Sequence, residues 1–231
     1  MSHQANAPLP KDLKGISDKT NEIHHGKLYT GYVNKRNEIE EKLAKISPEE
    51  LTAGNQIYSY LRGLKEGETF AANGMILHQI FFSVLGGHGD PSGTSLLEEI
   101  NKEWGSFDNF KAYFTACGMA ARGWAILALD PSDGRLHVYT ADAQNQGGVW
   151  GALPLLPMDV YEHSYFIDYG SDRKAYIAAF LENVDWRKVD ELFADSCGDS
   201  CCSDHSEGRG GCGCGNHGDG GGGCGCGGHN C

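Results

Sequence analysis

Apolar and polar positions alternate along this chain with two different periods, and the period changes near its middle. Residues 1–15 are a polar, proline-containing lead-in. From Ser17, a suitable N-cap, apolar positions at Ile23, Leu28, Tyr32 and Val33 fall close to helical spacing, and Asn37 to Lys42 carries the helix on. Ser47-Pro48-Glu49-Glu50 is a capping box with proline at the first helical position. Gly67 to Asn73 is less regular. Met75 to Leu85 is apolar nearly all round and predicts a buried helix. Gly86 to Gly93 is a loop and the best domain boundary.

Past that loop, Ser95-Leu96-Leu97-Glu98 predicts a second capping box, and Ser106 caps a helix through Phe110 and Phe114. Trp124 to Asp130 reads as a buried strand, Asp133-Gly134 as a hairpin turn, and Leu136 to Thr140 as the partner strand. Ala152 to Met158 is a third strand. Helices follow at roughly 162–169, 173–184 and 186–193. This order predicts an α+β fold: an N-terminal helical hairpin domain (1–88), then an α/β domain with a small, about three-stranded antiparallel sheet (89–194).

Residues from 196 onward change character. They are mostly Gly, Cys, His, Asp and Ser with no large apolar side chain, so this tail is expected to be disordered. Gly211-Cys-Gly-Cys-Gly-Asn-His217 recurs at an offset of 12 as Gly223-Cys-Gly-Cys-Gly-Gly-His229. Thiolates beside imidazoles are a composition suited to metal, and glycines let the backbone wrap an ion. The candidate ligands are Cys197, Cys201, Cys202, Cys212, Cys214, Cys224, Cys226, Cys231, His205, His217 and His229. Soft donors favour Zn, Cu or Ni over Mn. A disulfide-linked or merely flexible appendage is the other reading, and eight cysteines allow 105 complete pairings.

Of nine cysteines only Cys117 precedes the tail, so the folded part needs no disulfide, as in a reducing compartment. The formal net charge of −12 argues against nucleic-acid binding, which rests on Lys and Arg. The N-terminus lacks an apolar signal core, and no run approaches the ~20 apolar residues of a membrane span. A soluble, cytoplasmic protein is expected.

Asp159 and His163 stand four residues apart, a spacing that suits one cation if the backbone carries both inward, as at the start of a helix; a salt-bridged surface pair has the same spacing. His78 lies in the most apolar helix, where it is either a ligand or a core histidine bonded to a carbonyl. His24 and His25 lie on the first helix, as ligand candidates or a surface pair. Three histidines and one aspartate from three segments would form an N3O site for a redox-active ion.

Several stretches resemble the iron/manganese superoxide dismutases over about residues 8–192. They include Ile16-Ser17-x-x-Thr20-x-x-x-His24-x-Gly26-Lys27 with Tyr32-Val33 and Asn37, and Asn73-Gly74-x-x-x-His78-x-x-Phe81-Phe82. Gly105-Ser106-Phe107, Gly123-Trp124-Ala125 and Pro154-Leu155-Leu156 follow in order. Asp159-Val160-x-Glu162-His163-x-Tyr165 with Tyr169, Arg173 and Tyr176 is the most diagnostic stretch. The resemblance implies His24, His78, Asp159 and His163 as ligands of Mn or Fe, Mn slightly preferred. It implies Tyr32 closing the substrate channel, Trp124 as a wall of the cavity (or plain core), and Lys27 and Arg173 steering the superoxide anion (or plain surface charge). Glu162 would reach the partner subunit's His163, with Tyr165 in the same stretch, so a homodimer or tetramer is implied. A glutamine tuning the ion often comes, in the iron type, from the position of Gly74; in the manganese type it comes from the hairpin region, which here offers Gln144 or Gln146. Gln144 is in better register.

The sequence departs from that pattern at Leu28, where the family usually has histidine, at Phe166, where it usually has tyrosine, and at Tyr161, where it usually has tryptophan. The first two usually bond each other across the dimer, so their joint loss is self-consistent. The implied activity is dismutation of superoxide to dioxygen and hydrogen peroxide. The alternative is a metal-handling protein on the same fold with little turnover and the tail as its working part.

Overall fold

Helices fill the first part of the chain because its apolar positions repeat at helical spacing and each start carries a cap. The computed structural model describes residues 2–201, with side chains through Ser196; the metal-binding expectations for the tail residues therefore lie outside what it describes. Helix α1 (Asp18–Ile23) starts at Ser17, whose side chain accepts from the Thr20 amide. It runs without a break through a π-helical turn (His24–Tyr29) into α2 (Thr30–Ala44). The capping box expected at Ser47 opens α3 (Pro48–Thr52). Helix α4 (Tyr60–Ser83) then returns antiparallel against α2 and buries Leu77, His78, Phe81 and Phe82.

One expectation is corrected in α4. The stretch Gly67 to Asn73, read as irregular, is continuous helix. Its glycines mark close approach instead of a break. A Cβ on Gly67 would meet Ile39 Cδ1 at 3.1 Å, and one on Gly74 would meet Tyr32 Cδ1 at 2.5 Å.

Beyond the loop at 86–93, α5 (Ser95–Trp104) is capped by Thr94 and not by Ser95, whose hydroxyl donates instead to Asp190 Oδ1 at 2.7 Å. Helix α6 (Phe107–Ala120) starts at Ser106 as expected. Strands β1 (Trp124–Asp130), β2 (Arg135–Ala141) and β3 (Leu153–Asp159) form one antiparallel sheet in the order β2-β1-β3. The central β1 is buried along nearly its whole length, which is why it reads as a continuous apolar run. Its first residue, Trp124, pairs with Asp159, the last of β3.

The helix expected over 162–169 is two shorter pieces, a 3-10 turn (Glu162–Ser164) and α7 (Phe166–Tyr169), followed by α8 (Arg173–Glu182). The last helix, α9 (Trp186–Cys201), extends past 193 into the start of the region assigned to the tail. The core joins α4, α6, α8 and the sheet through Phe82, Phe110, Phe114, Leu127, Ile177 and Phe180. Among the described residues no helix is long and apolar enough to cross a membrane.

Candidate metal centre

Four elements deliver one side chain each to one point between the helical hairpin and the sheet. The π-helical turn brings His24, α4 brings His78, the end of β3 brings Asp159, and the following 3-10 turn brings His163. Asp159 and His163 thus meet across a strand end and a turn, and not along a helix. Asp159 Oδ2 is the focus. It lies 3.2 Å from His24 Nε2, 3.4 Å from His78 Nε2 and 3.1 Å from His163 Nε2. Its other oxygen accepts from the Tyr161 amide at 2.9 Å, and its main-chain carbonyl accepts from the Tyr176 hydroxyl at 2.7 Å. The four donor atoms all lie within 4.8 Å of one another.

The π turn has a geometric consequence. The Thr30 amide reaches back to the His25 carbonyl, five residues earlier. Eight residues of plain α-helix would leave Tyr32 rotated about 80° from His24, at about 100° per residue. One inserted residue makes the step behave like seven, roughly 20°. His24 and Tyr32 therefore face the same way.

The donor set fits a cation on its own evidence. His24 Nε2 and His78 Nε2 are buried and have no hydrogen-bond partner. Each such orphan costs about 1–3 kcal/mol unless something accepts its lone pair. His78 Nδ1 bonds the Gly74 carbonyl at 2.6 Å. A carbonyl only accepts, so the proton sits on Nδ1 and the Nε2 lone pair points at Asp159. Burial drives His24 down and His78 down to about 3, so both imidazoles are neutral at physiological pH and able to donate a lone pair. For Asp159 burial pushes upward, but His163 and His24 outweigh it and hold the carboxyl well below its ordinary value. His163 feels the same contest with the other sign: burial lowers it, the Asp159 carboxylate raises it, and the net is upward. One carboxylate and three imidazoles, with the His78 lone pair unclaimed, form a buried anionic nest that suits a divalent or trivalent ion.

Around this nest, Trp124 Nε1 donates to Gln144 Oε1 at 2.9 Å, and Gln144 Nε2 donates to the Tyr32 hydroxyl at 3.1 Å. Gln144 is buried, whereas Gln146 is exposed. Burial and the Asp159 charge raise the Tyr32 pKa against the Gln144 hydrogen bond, so the phenol keeps its proton. The Tyr32 ring lies 5.1 Å from the His78 ring, and Trp124 meets His78 edge-on at 5.1 Å. Tyr161 stacks on His163 at 5.2 Å.

Tyr32 also lines a groove of about 600 Å³ together with Lys27, Lys35 and Phe70. Lys27 thus lies on the wall of this groove. Arg173 does not: its guanidinium donates to the Ala121 carbonyl at 2.7 Å and, through Nε, to the Tyr165 hydroxyl at 3.3 Å. It ties α8 to the end of α6. Lys35 was not singled out from the sequence; its place three residues after Tyr32 on one helix was the available signal. Glu162 is exposed, Tyr165 is buried, and Phe166 is 55% exposed on the same segment.

Gly74→Ala tests how tightly this wall is built. Helix propensity alone would favour alanine by up to about 1 kcal/mol, but overpacking against Tyr32 costs about 1–3 kcal/mol. A net loss of stability is expected in chemical denaturation. A variant at least as stable as wild type would mean that the Tyr32 ring gives way freely.

Two family descriptions match adjoining parts of the chain: iron/manganese superoxide dismutases, alpha-hairpin domain, over residues 11–86, and the C-terminal domain of the same family over residues 91–192. Among individual relatives, the superoxide dismutase [Fe] of Aquifex pyrophilus is 44% identical over 186 residues, covering 80% of this chain and 87% of that protein. The superoxide dismutase [Mn] 1 of Halobacterium salinarum is 37% identical over 199 residues, covering 84% and 96%. With both halves of the family matched in order, and with relatives named for either metal spanning most of its length, the chain belongs to the iron/manganese superoxide dismutase family.

Proposed function

We propose that the protein dismutates superoxide at a single Fe or Mn ion held by His24, His78, Asp159 and His163. The observation that carries this is the pair of buried, partnerless Nε2 atoms facing Asp159 Oδ2. An Fe or Mn ion held there would supply one-electron chemistry between its divalent and trivalent states, so that one superoxide gives dioxygen and a second, with two protons, gives hydrogen peroxide. The Asp159 charge favours the higher oxidation state. Tyr32 holds a proton at its phenol oxygen beside the groove, and Gln144 fixes that oxygen in place. Lys27 puts a positive charge on the wall of that groove, against the chain's overall negative charge, while Lys35 on the same wall is paired with Glu38. We read the ion as manganese in preference to iron, because the glutamine comes from the hairpin side while Gly74 has no room for a side chain. We further read the protein as a cytoplasmic homodimer or tetramer in which exposed Glu162 reaches the partner subunit's His163.

The tail is read as a second, softer metal-binding segment. Cys202-x-x-His205, Cys214-x-x-His217 and Cys226-x-x-His229 recur every 12 residues, each with a further cysteine just before it: Cys201, Cys212 and Cys224. Two thiols and an imidazole per unit suit Zn, Cu(I) or Ni. The test compares the full chain with a variant carrying serine at Cys197, Cys201, Cys202, Cys212, Cys214, Cys224, Cys226 and Cys231. Both should consume superoxide at the same rate and hold the same Fe or Mn. Only the full chain should retain added Zn by elemental analysis. Equal Zn in the two would end the tail reading, and no superoxide consumption by either would end the first.

A further inference from the structure

The π-helical turn that aims His24 is an expensive local structure, and the side chains on its outer side are held by the N-terminal segment. The Tyr29 hydroxyl accepts from the Asn6 amide at 3.2 Å and the Ala7 amide at 3.4 Å. His25 Nε2 bonds the Ala7 carbonyl at 2.8 Å. Both residues belong to the turn, and both meet Ala7 of the lead-in. That segment is fastened again near its start. The His3 amide donates to Asn37 Oδ1 at 2.8 Å, Asn37 Nδ2 donates to the His3 carbonyl at 2.9 Å, and His3 Nε2 lies 3.0 Å from Glu40 Oε1. Tyr29 is fully buried, with its ring nearly parallel to that of His78, and His25 packs edge-on against Phe82.

We propose that residues 3–7 are a brace that keeps the turn in its π register, with Tyr29 and His25 as positioning residues for His24. A turn of this kind is rare and occurs mostly as a single turn inserted in an α-helix, where it replaces regular α-helical hydrogen bonds. Losing the inserted residue from it would rotate His24 by roughly 100° relative to Tyr32. The segment at 3–7 touches none of the four donors, yet it decides where one of them points. The proposal rests on the metal reading for its effect on ion retention, but not for its effect on the backbone.

The test uses the full chain, Tyr29→Phe, which keeps the ring and removes the acceptor, and a chain lacking residues 2–7. Amide hydrogen exchange is followed at residues 28–30 in metal-free and metal-loaded protein. Loss of Mn to excess EDTA is timed well below the melting temperature. The expected result is exchange at 28–30 about tenfold faster in both variants, unchanged exchange in β1 and α6, and Mn loss about tenfold faster, within the range for losing a partner behind a ligand. Exchange at 28–30 equal to wild type, or faster exchange spread evenly over β1 and α6, would overturn the brace. A wild-type protein that loads no Mn or Fe would overturn the site reading, while the exchange data still decide on the brace.

Discussion

His163→Ala is expected to give a folded protein that neither retains its ion nor consumes superoxide. Of the four donors His163 is the one whose removal isolates coordination from folding. Its side chain is 28% exposed, whereas His24, His78 and Asp159 are almost fully buried. Truncating a buried aromatic-sized side chain leaves a cavity and costs about 3–5 kcal/mol, enough to confuse loss of metal with loss of fold. At position 163 solvent fills the notch, and the chief structural loss is one face of the stack with Tyr161. Electrostatics adds to the effect. His163 is the partner that does most to hold the Asp159 carboxyl below its ordinary range, so the variant keeps a buried carboxylate with less compensation. Loss of a ligand should exceed the 10–100-fold fall in metal affinity typical when only a group behind a ligand is lost. Elemental analysis of the purified variant, beside circular dichroism and a superoxide consumption assay, checks this. Full metal content with wild-type turnover would remove His163 from the site.

Much of this architecture is legible in the chain, and what is not legible has identifiable causes. Strand β1 shows as an unbroken apolar run because both its faces are covered, and Ser17, Ser47 and Ser106 announce helix starts by chemistry alone. Gly67 misleads because a glycine in a helix looks like a break, whereas here it lets α2 come near. The π turn escapes a 3.6-residue reading altogether: His24 and Tyr32 share a face only through the inserted residue. Ser95 loses the cap to Thr94 because Asp190, distant in sequence, claims its hydroxyl. Arg173 looks like a steering charge until the end of α6 takes its hydrogen bonds. Apart from the π turn, which is local, each of these turns on a partner far along the chain. The gathering of His24, His78, Asp159 and His163 is also long-range. Spacing alone left each of them open to a bland reading, and the ordered resemblance along the chain singled them out together.

Gln144→Ala is expected to keep the ion and lose much of the activity. Gln144 spans the two aromatic groups beside the site, accepting from Trp124 Nε1 and donating to the Tyr32 hydroxyl. Alanine breaks both links. The indole N–H of Trp124, fully buried, is left without an acceptor, at a cost of about 1–3 kcal/mol unless water enters the vacated space. The Tyr32 phenol loses the donor that fixes it, and with it the one contact that draws its pKa down against burial and the Asp159 charge. None of the four donor atoms touches Gln144, so metal content should stay at wild-type level. Turnover should fall about tenfold or more, in the range seen for groups positioned next to a metal, and the midpoint potential of the ion should shift. The control is Gln146→Ala: its side chain is exposed, and it should behave as wild type. Elemental analysis, potentiometry and superoxide consumption on the two variants separate the cases. An unchanged rate and potential at 144 with a change at 146 would transfer the role, and loss of metal at 144 would make the glutamine a scaffold of the nest instead of a tuner of its chemistry.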